Sequence, residues 1–217
     1  MTREAARGHS TATLFEAATA QWACDGQGDM PECAVDPTIK AAWPGATVAG
    51  RAYTVRGTGG DNLALHRALL CAQPGDVLVV DLQGSRHGHW GEILAVAAQA
   101  RGIAGLVVDG GVRDRDEMCA LGFPVFSRND TVRGTIKADR GDLGTEITLT
   151  GVRVVTGDLV VADTDGVVII PRHRVDAVLD EADARVIKER HILDELRAGR
   201  TSIELYGFDG EDLPEDR

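Results

Sequence analysis

Gly75-Asp76-Val77-Leu78-Val79-Val80-Asp81 and, after a helix-like stretch, Ile103-Ala104-Gly105-Leu106-Val107-Val108-Asp109 decide how this chain folds. Both are short, continuous apolar runs, which is how a strand covered on both faces reads, as opposed to the alternation of a strand with one wet face. Between them Gly91 to Arg101 is an Ala-rich segment stopped by Gly102, the pattern of a short helix closed by glycine. Buried strand alternating with helix predicts an α/β fold.

Working outward, Asp61 is placed to cap a helix through Asn62 to Cys71, and Pro74-Gly75-Asp76 makes the turn into the first run. Gln83 to Trp90, bearing Gly88 and two histidines, reads as a loop, Arg113 to Leu121 as a short helix ended by Gly122, and Pro124 to Phe126 as a short strand. Upstream, Thr13-Leu14-Phe15-Glu16 fits a capping box for a helix towards Trp22, residues 24 to 45 an irregular crossing, and Val48 to Val55 a strand. Downstream, Ile147 to Val155, Leu159 to Ala162 and Val167 to Ile170 form a β-rich layer punctuated by Gly157-Asp158 and Asp165-Gly166. Arg174 to Ala198 follows as an amphipathic helix with Val175, Val178, Leu179, Ala182, Val186, Ile192, Leu193 and Leu196 near one stripe. With 217 residues and no break in composition, residues 1–217 predict one domain, with an acidic, frayed tail at 209–217.

Thirty-four acidic against 23 basic residues give a formal charge of −11, which repels phosphate backbones and argues against nucleic acid as a partner. No apolar run approaches bilayer length and no signal core follows the N-terminus, so a cytoplasmic protein without a membrane partner is predicted. Cys24, Cys33, Cys71 and Cys119 show no metal-ligand spacing and read as reduced thiols.

The chemistry concentrates in Gly91-Glu92-Ile93-Leu94 and Asp109-Gly110-Gly111-Val112-Arg113-Asp114, where Glu92 is followed after 20 residues by the pair Arg113-Asp114. An α/β unit that brings an acid, a guanidinium and a second acid together offers a small metal-assisted site for an anion. A hard divalent cation takes oxygen ligands and keeps waters, so one carboxylate and a chelating substrate suffice. The same pair read alone also fits a helix start, with Asp114 in the first turn and Arg113 solvated. His87-Gly88-His89 lacks a third metal ligand, so a substrate-facing role for His87 or His89, beside Gly91, is favoured over metal binding while the role of the pair stays open. Gly57-Thr58-Gly59-Gly60-Asp61-Asn62 has Asn62 where a dinucleotide loop needs its third glycine. Of the lysines, Lys40, Lys137 and Lys188, none lies in a motif, which favours a metal over a Schiff base.

These motifs, with Ser10 to Thr13, Gly157-Asp158 and Asp165-Gly166-Val167, resemble the RraA-like group over most of the chain. That group includes the class II 4-hydroxy-4-methyl-2-oxoglutarate aldolases and the regulator of ribonuclease activity A. The resemblance implies a swivelling β/β/α-type fold with a β-rich layer covered by helices, assembled as a homotrimer or a pair of trimers. It further implies a lyase that cleaves 4-carboxy-2-oxo acids, by aldol cleavage or oxaloacetate decarboxylation, with Mg²⁺ or Mn²⁺. By the family motif Asp114 is the metal ligand, Arg113 binds the substrate's carboxylate and keto oxygens, and Gly91, Glu92, Ile93 and Leu94 present backbone amides. Glu92 would orient a water on the metal, and Glu189 would reach the site of an adjacent subunit. The alternative implied by the same group is a non-enzymatic regulator acting through a protein partner. Its type lacks the acid after the arginine, which this chain has as Asp114.

Overall fold

The computed structural model describes residues 6, 8–25 and 32–208. In chain order they form α1 (Thr11–Asp25), β1 (Lys40–Ala41), β2 (Val48–Arg56), α2 (Leu63–Cys71), β3 (Asp76–Trp90), α3 (Glu92–Ala100), β4 (Gly105–Val112) and α4 (Arg115–Leu121). There follow β5 (Val125–Asp130), β6 (Asp142–Leu143), β7 (Ile147–Leu149), β8 (Val152–Val154), β9 (Leu159–Ala162), β10 (Val167–Ile170), α5 (Val175–Arg197) and α6 (Ser202–Tyr206).

One mixed sheet runs β1-β5-β4-β3-β2-β9-β10, with β6 also against β2. Its centre, β2, β3, β4 and β5, is parallel, each strand linked to the next by a helix. The edges are antiparallel, β1 on β5 and β9 on both β2 and β10. Residues Val77 to Val80 and Leu106 to Val108 are wholly buried, as their continuous apolar character requires, because opposite faces of these strands serve different layers. Leu78, Val80, Leu106 and Val108 join the core under α2 and α3. Val77, Val79 and Val107 point the other way and pack with Phe126 and the β7–β8 hairpin. A third core, from Leu14, Ala17 and Ala18 to Val178, Leu179 and Ala182, clamps α1 and α5 onto β9 and β10. The α/β class and the helix-covered β layer predicted from sequence are thus present.

Several expectations are corrected. Gln83 to Trp90 is not a loop but the outer half of β3: Gln83 turns through φ 53° and Gly84 through 71°, after which Ser85, Gly88 and Trp90 pair again with Gly110, Gly111 and Val112 in shifted register. Ile147 to Val155 is not one strand but the hairpin β7–β8, bent where Thr150 and Gly151 take φ 48° and 99°. The first helix is capped by Ser10, whose Oγ accepts the Thr13 N–H at 3.1 Å, in place of the predicted Thr13-Glu16 box. Glu16 instead pairs with Arg185 on α5. The stripe of α5 is buried only as far as Ala182, since the core it covers ends there, and Ile187, Leu193 and Leu196 are exposed. The tail 209–217 and part of the 24–45 crossing, residues 26–31, lie outside the described residues.

Candidate active site

The C-terminal ends of β2, β3 and β4 come together on one rim, the position where open parallel sheets bind ligands. From these ends the chain turns into α2, α3 and α4, so Asn62, Gly91 and Asp114 stand at three helix starts. They line one cavity of about 150 Å³, with Arg113, His66 and Lys137.

Arg113 and Asp114 meet Gly91 through β4's pairing with β3. Val112 pairs with Trp90, and the Arg113 N–H donates to the Trp90 carbonyl at 2.9 Å. Trp90 is held from below by stacking on Phe123, with centroids 5.9 Å apart. Asp114 then turns through φ 55°, ψ 46°. This left-handed conformation costs a non-glycine residue on the order of 1–3 kcal/mol, least for Asp and Asn. The turn aims the carboxylate across the gap between strands: Asp114 occupies the N-cap position of α4 yet makes no cap there. Its Oδ2 accepts the Glu92 N–H, at the start of α3, at 3.1 Å, and lies 3.6 Å from Arg113 Nε. The helix-capping reading of Arg113-Asp114 is therefore corrected: the acid serves the neighbouring helix, where the dipole favours an anion. Oδ1 keeps no protein partner among the described residues.

Gly91 makes this approach possible. A Cβ built there would stand 2.3 Å from Asp114 Oδ2 and 3.0 Å from Arg113 Cγ, so only a hydrogen fits. Of the segment expected to present amides, Gly91, Ile93 and Leu94 line the cavity, while the Glu92 N–H is already given to Asp114. Glu92 begins α3 with an exposed side chain. Glu189 lies on α5, where Arg185 holds its carboxylate at 2.8 Å, and it lines none of the cavities that contain Asp114.

Asp61, expected to cap α2, is not its N-cap residue. Asn62 holds that position, and the buried Asp61 carboxylate accepts the Leu63 N–H at 2.8 Å while its other oxygen takes the Ala138 and Asp139 N–H groups at 2.6 and 2.9 Å. Burial works to raise this carboxyl, but those three donors, with His89 nearby, outweigh it and hold it below the ordinary value. His89 is fully buried, with Nδ1 at 3.0 Å from the Asp61 carbonyl and Nε2 at 2.8 Å from Ser85 Oγ. Burial lowers its pKa. It borders the cavity, whereas His87 does not line it.

His66 and Lys137 were missed as site residues. His66 falls one helical turn beyond Asn62, a spacing that aims both the same way, and this signal was available. Lys137 comes from residues 131–141, which carry no regular pattern. Burial, then the neighbouring Lys137 charge, lowers the His66 pKa.

The residues present suit a hard divalent cation. Among the described residues no group of three or more His, Cys, Asp or Glu side chains is placed to hold a metal ion, so protein ligation would fall to the Asp114 carboxylate, which Gly91 admits. One such carboxylate, with water and substrate oxygens, matches the sparse protein ligation typical of Mg²⁺.

Residues 11–169 match the RraA-like family model, described as Aldolase/RraA. The chain is 38% identical over 172 residues to a protein of Halalkalibacterium halodurans provisionally named 4-hydroxy-4-methyl-2-oxoglutarate aldolase, covering 77% of this chain and 82% of that one. An uncharacterized protein of Pseudomonas syringae superposes with a TM-score of 0.78 at 26% identity, over 92% of this chain and 94% of that one. Streptomyces coelicolor RraAS2, described as an unusual member of the RNase ES inhibitor family, superposes at 0.68 with 29% identity, over 86% and 96%.

Proposed function

This chain belongs to the RraA-like family, and from that membership we propose that it is a divalent-metal-dependent carbon–carbon lyase cleaving 4-carboxy-2-oxo acids through a pyruvate enolate. The observation that carries the reading is the Asp114 carboxylate, turned out of its own helix cap into the cavity beside Arg113 with Oδ1 unengaged among the described residues. A regulator of the non-enzymatic type has no use for that acid.

In this reading Asp114 holds Mg²⁺ or Mn²⁺, which when bound supplies Lewis-acid stabilisation to an oxygen gaining negative charge. Arg113 grips the 2-oxo acid end of the substrate and stays with it as charge builds on the C2 oxygen. The free amides of Ile93 and Leu94, at the start of α3, offer donors to the C1 carboxylate. Glu92, exposed at the rim, carries the proton through water. Both retro-aldol cleavage and decarboxylation end at the same enolate, which takes a proton at C3 to give pyruvate. We extend the proposal to a homotrimer or a pair of trimers, in which Glu189 on the projecting α5 joins the site of a neighbour. The exposed Leu193 and Leu196 beside it support that reading.

The test follows pyruvate from oxaloacetate and from 4-hydroxy-4-methyl-2-oxoglutarate with Mg²⁺, with Mn²⁺ and after chelation. Release that needs metal is expected, and Asp114→Ala should lower it at least 10³-fold with the fold intact, the scale of losing a central electrostatic group. Arg113→Ala should do likewise. Metal-independent turnover, or an active Asp114→Ala, refutes the proposal.

A further inference from the structure

The cavity contains hydrogen-bonding capacity that Arg113 and Asp114 do not use. Asn62 is 7% exposed, and its Nδ2 donates to the His89 carbonyl at 3.0 Å. A carbonyl only accepts, so this bond fixes the orientation of the amide. Oδ1 is thereby a buried acceptor, and it has no partner among the described residues. Leaving such a group unsatisfied costs about 1–3 kcal/mol. A ligand O–H entering the cavity would satisfy it.

Lys137 lines the same cavity with its side chain exposed, and its backbone is fixed on both sides. Before it, Ile136 donates to the Gly60 carbonyl at 2.9 Å and accepts from the Asn62 N–H at 3.1 Å. After it, Ala138 and Asp139 are held by the Asp61 carboxylate. A flexible cation thus stands on a fastened backbone, one residue from a bridge to Asn62's own segment, where it can offer charge to an anion in the cavity. A cavity of about 150 Å³ puts it within a small molecule's length of Arg113.

We propose that Asn62 and Lys137 form the subsite for the far half of a 4-hydroxy-4-carboxy-2-oxo acid. Asn62 Oδ1 accepts the C4 hydroxyl, and the Lys137 ammonium pairs with the carboxylate on C4. This rests on the lyase reading above and adds which bond-breaking reaction the site prefers. In aldol cleavage the hydroxyl proton passes through water to Glu92, since an amide oxygen holds a hydroxyl but does not take its proton; C4 becomes a carbonyl and the C3–C4 electron pair passes into the enolate. Protonation at C3 then yields a second pyruvate, and the C4 carboxylate remains a carboxylate throughout. In decarboxylation of oxaloacetate that carboxylate itself departs as CO₂, and its charge leaves the oxygens for the enolate. An ammonium paired with those oxygens opposes this loss of charge. The subsite therefore biases the shared site towards aldol cleavage.

Two measurements test it on the whole protein. The first compares kcat/KM for 4-hydroxy-4-methyl-2-oxoglutarate and for oxaloacetate in wild type and Lys137→Gln, a change at an exposed side chain. The ratio should move about tenfold or more towards oxaloacetate, the worth of one charged hydrogen bond. The second titrates 2-hydroxy-2-methylbutanedioate and its analogue without the hydroxyl, 2-methylbutanedioate, into wild type, Lys137→Gln and Asn62→Leu by calorimetry. Wild type should prefer the hydroxy acid, Asn62→Leu should lose that preference, and Lys137→Gln should weaken both ligands. An unchanged ratio together with unchanged binding in Lys137→Gln overturns the subsite, whether or not Asn62→Leu folds. Wild type that releases no pyruvate but binds these acids through Asn62 and Lys137 refutes the lyase reading and upholds the subsite.

Discussion

At Gly91 the backbone is extended, φ −164° and ψ −166°, which any residue adopts, so the glycine is required by its neighbour and not by its own conformation. A methyl group there displaces the end of the Asp114 side chain, a movable obstacle, in place of any backbone. Gly91→Ala should accordingly leave the melting temperature within a few degrees of wild type, as for a change of about 1 kcal/mol in a protein of this size. Metal affinity, read by calorimetry with Mn²⁺, and pyruvate release should both collapse. Retained activity would refute the placement of Asp114. The importance of Arg113-Asp114 was legible from spacing, but the direction of the carboxylate was not. Sequence puts Asp114 next to α4, and only the β3–β4 register delivers it to α3, 22 positions back.

Among elements, legibility followed local pattern. β9 and β10 match the predicted bounds because each is a short apolar run opened by a Gly-Asp or Asp-Gly turn. The outer half of β3 failed the same test: its Gly, His and Arg residues read as loop, and its strand character comes from β4 alongside. Residues 131–141 are the sharper case. Their order is supplied by groups distant in sequence: the Asp61 carboxylate, the Val112 carbonyl that accepts from Thr131 at 2.9 Å, and the Gly88 N–H that donates to Arg133 at 2.8 Å. Asp61→Ala removes the first of these. It should cost about 1.5–3 kcal/mol, the value of hydrogen bonds to a charged group, and speed amide exchange at Ala138 and Asp139 more than in the sheet. Exchange unchanged there would show that the segment does not depend on Asp61.

For the whole molecule, the buried His89 and half-buried His66 contribute to the acid side of stability. His66 and His89 both have pKa values lowered from 6.5, so below that pH the unfolded chain binds protons that the folded chain refuses. Stability is then constant from this source above 6.5 and falls as pH drops from 6.5 towards the folded values. Asp61, lowered from 3.8, adds stability that is complete above 3.8 and lost as pH falls through its folded value. Urea unfolding at pH 8, 7, 6 and 5 should show the first decline, and His66→Gln should flatten it. A decline as steep in His66→Gln as in wild type would assign it elsewhere. The hollow at position 91 also has a meaning for lineages. Because the Asp114 carboxylate makes the tightest contact with a side chain at 91, and Arg113 Cγ the next, the three positions are constrained to drift together. A descendant that gives up the acid relieves most of the demand for glycine with it, leaving only the shift of Arg113 Cγ. Enzymes and binding proteins built on this sheet should therefore separate at residue 91 as cleanly as at residue 114.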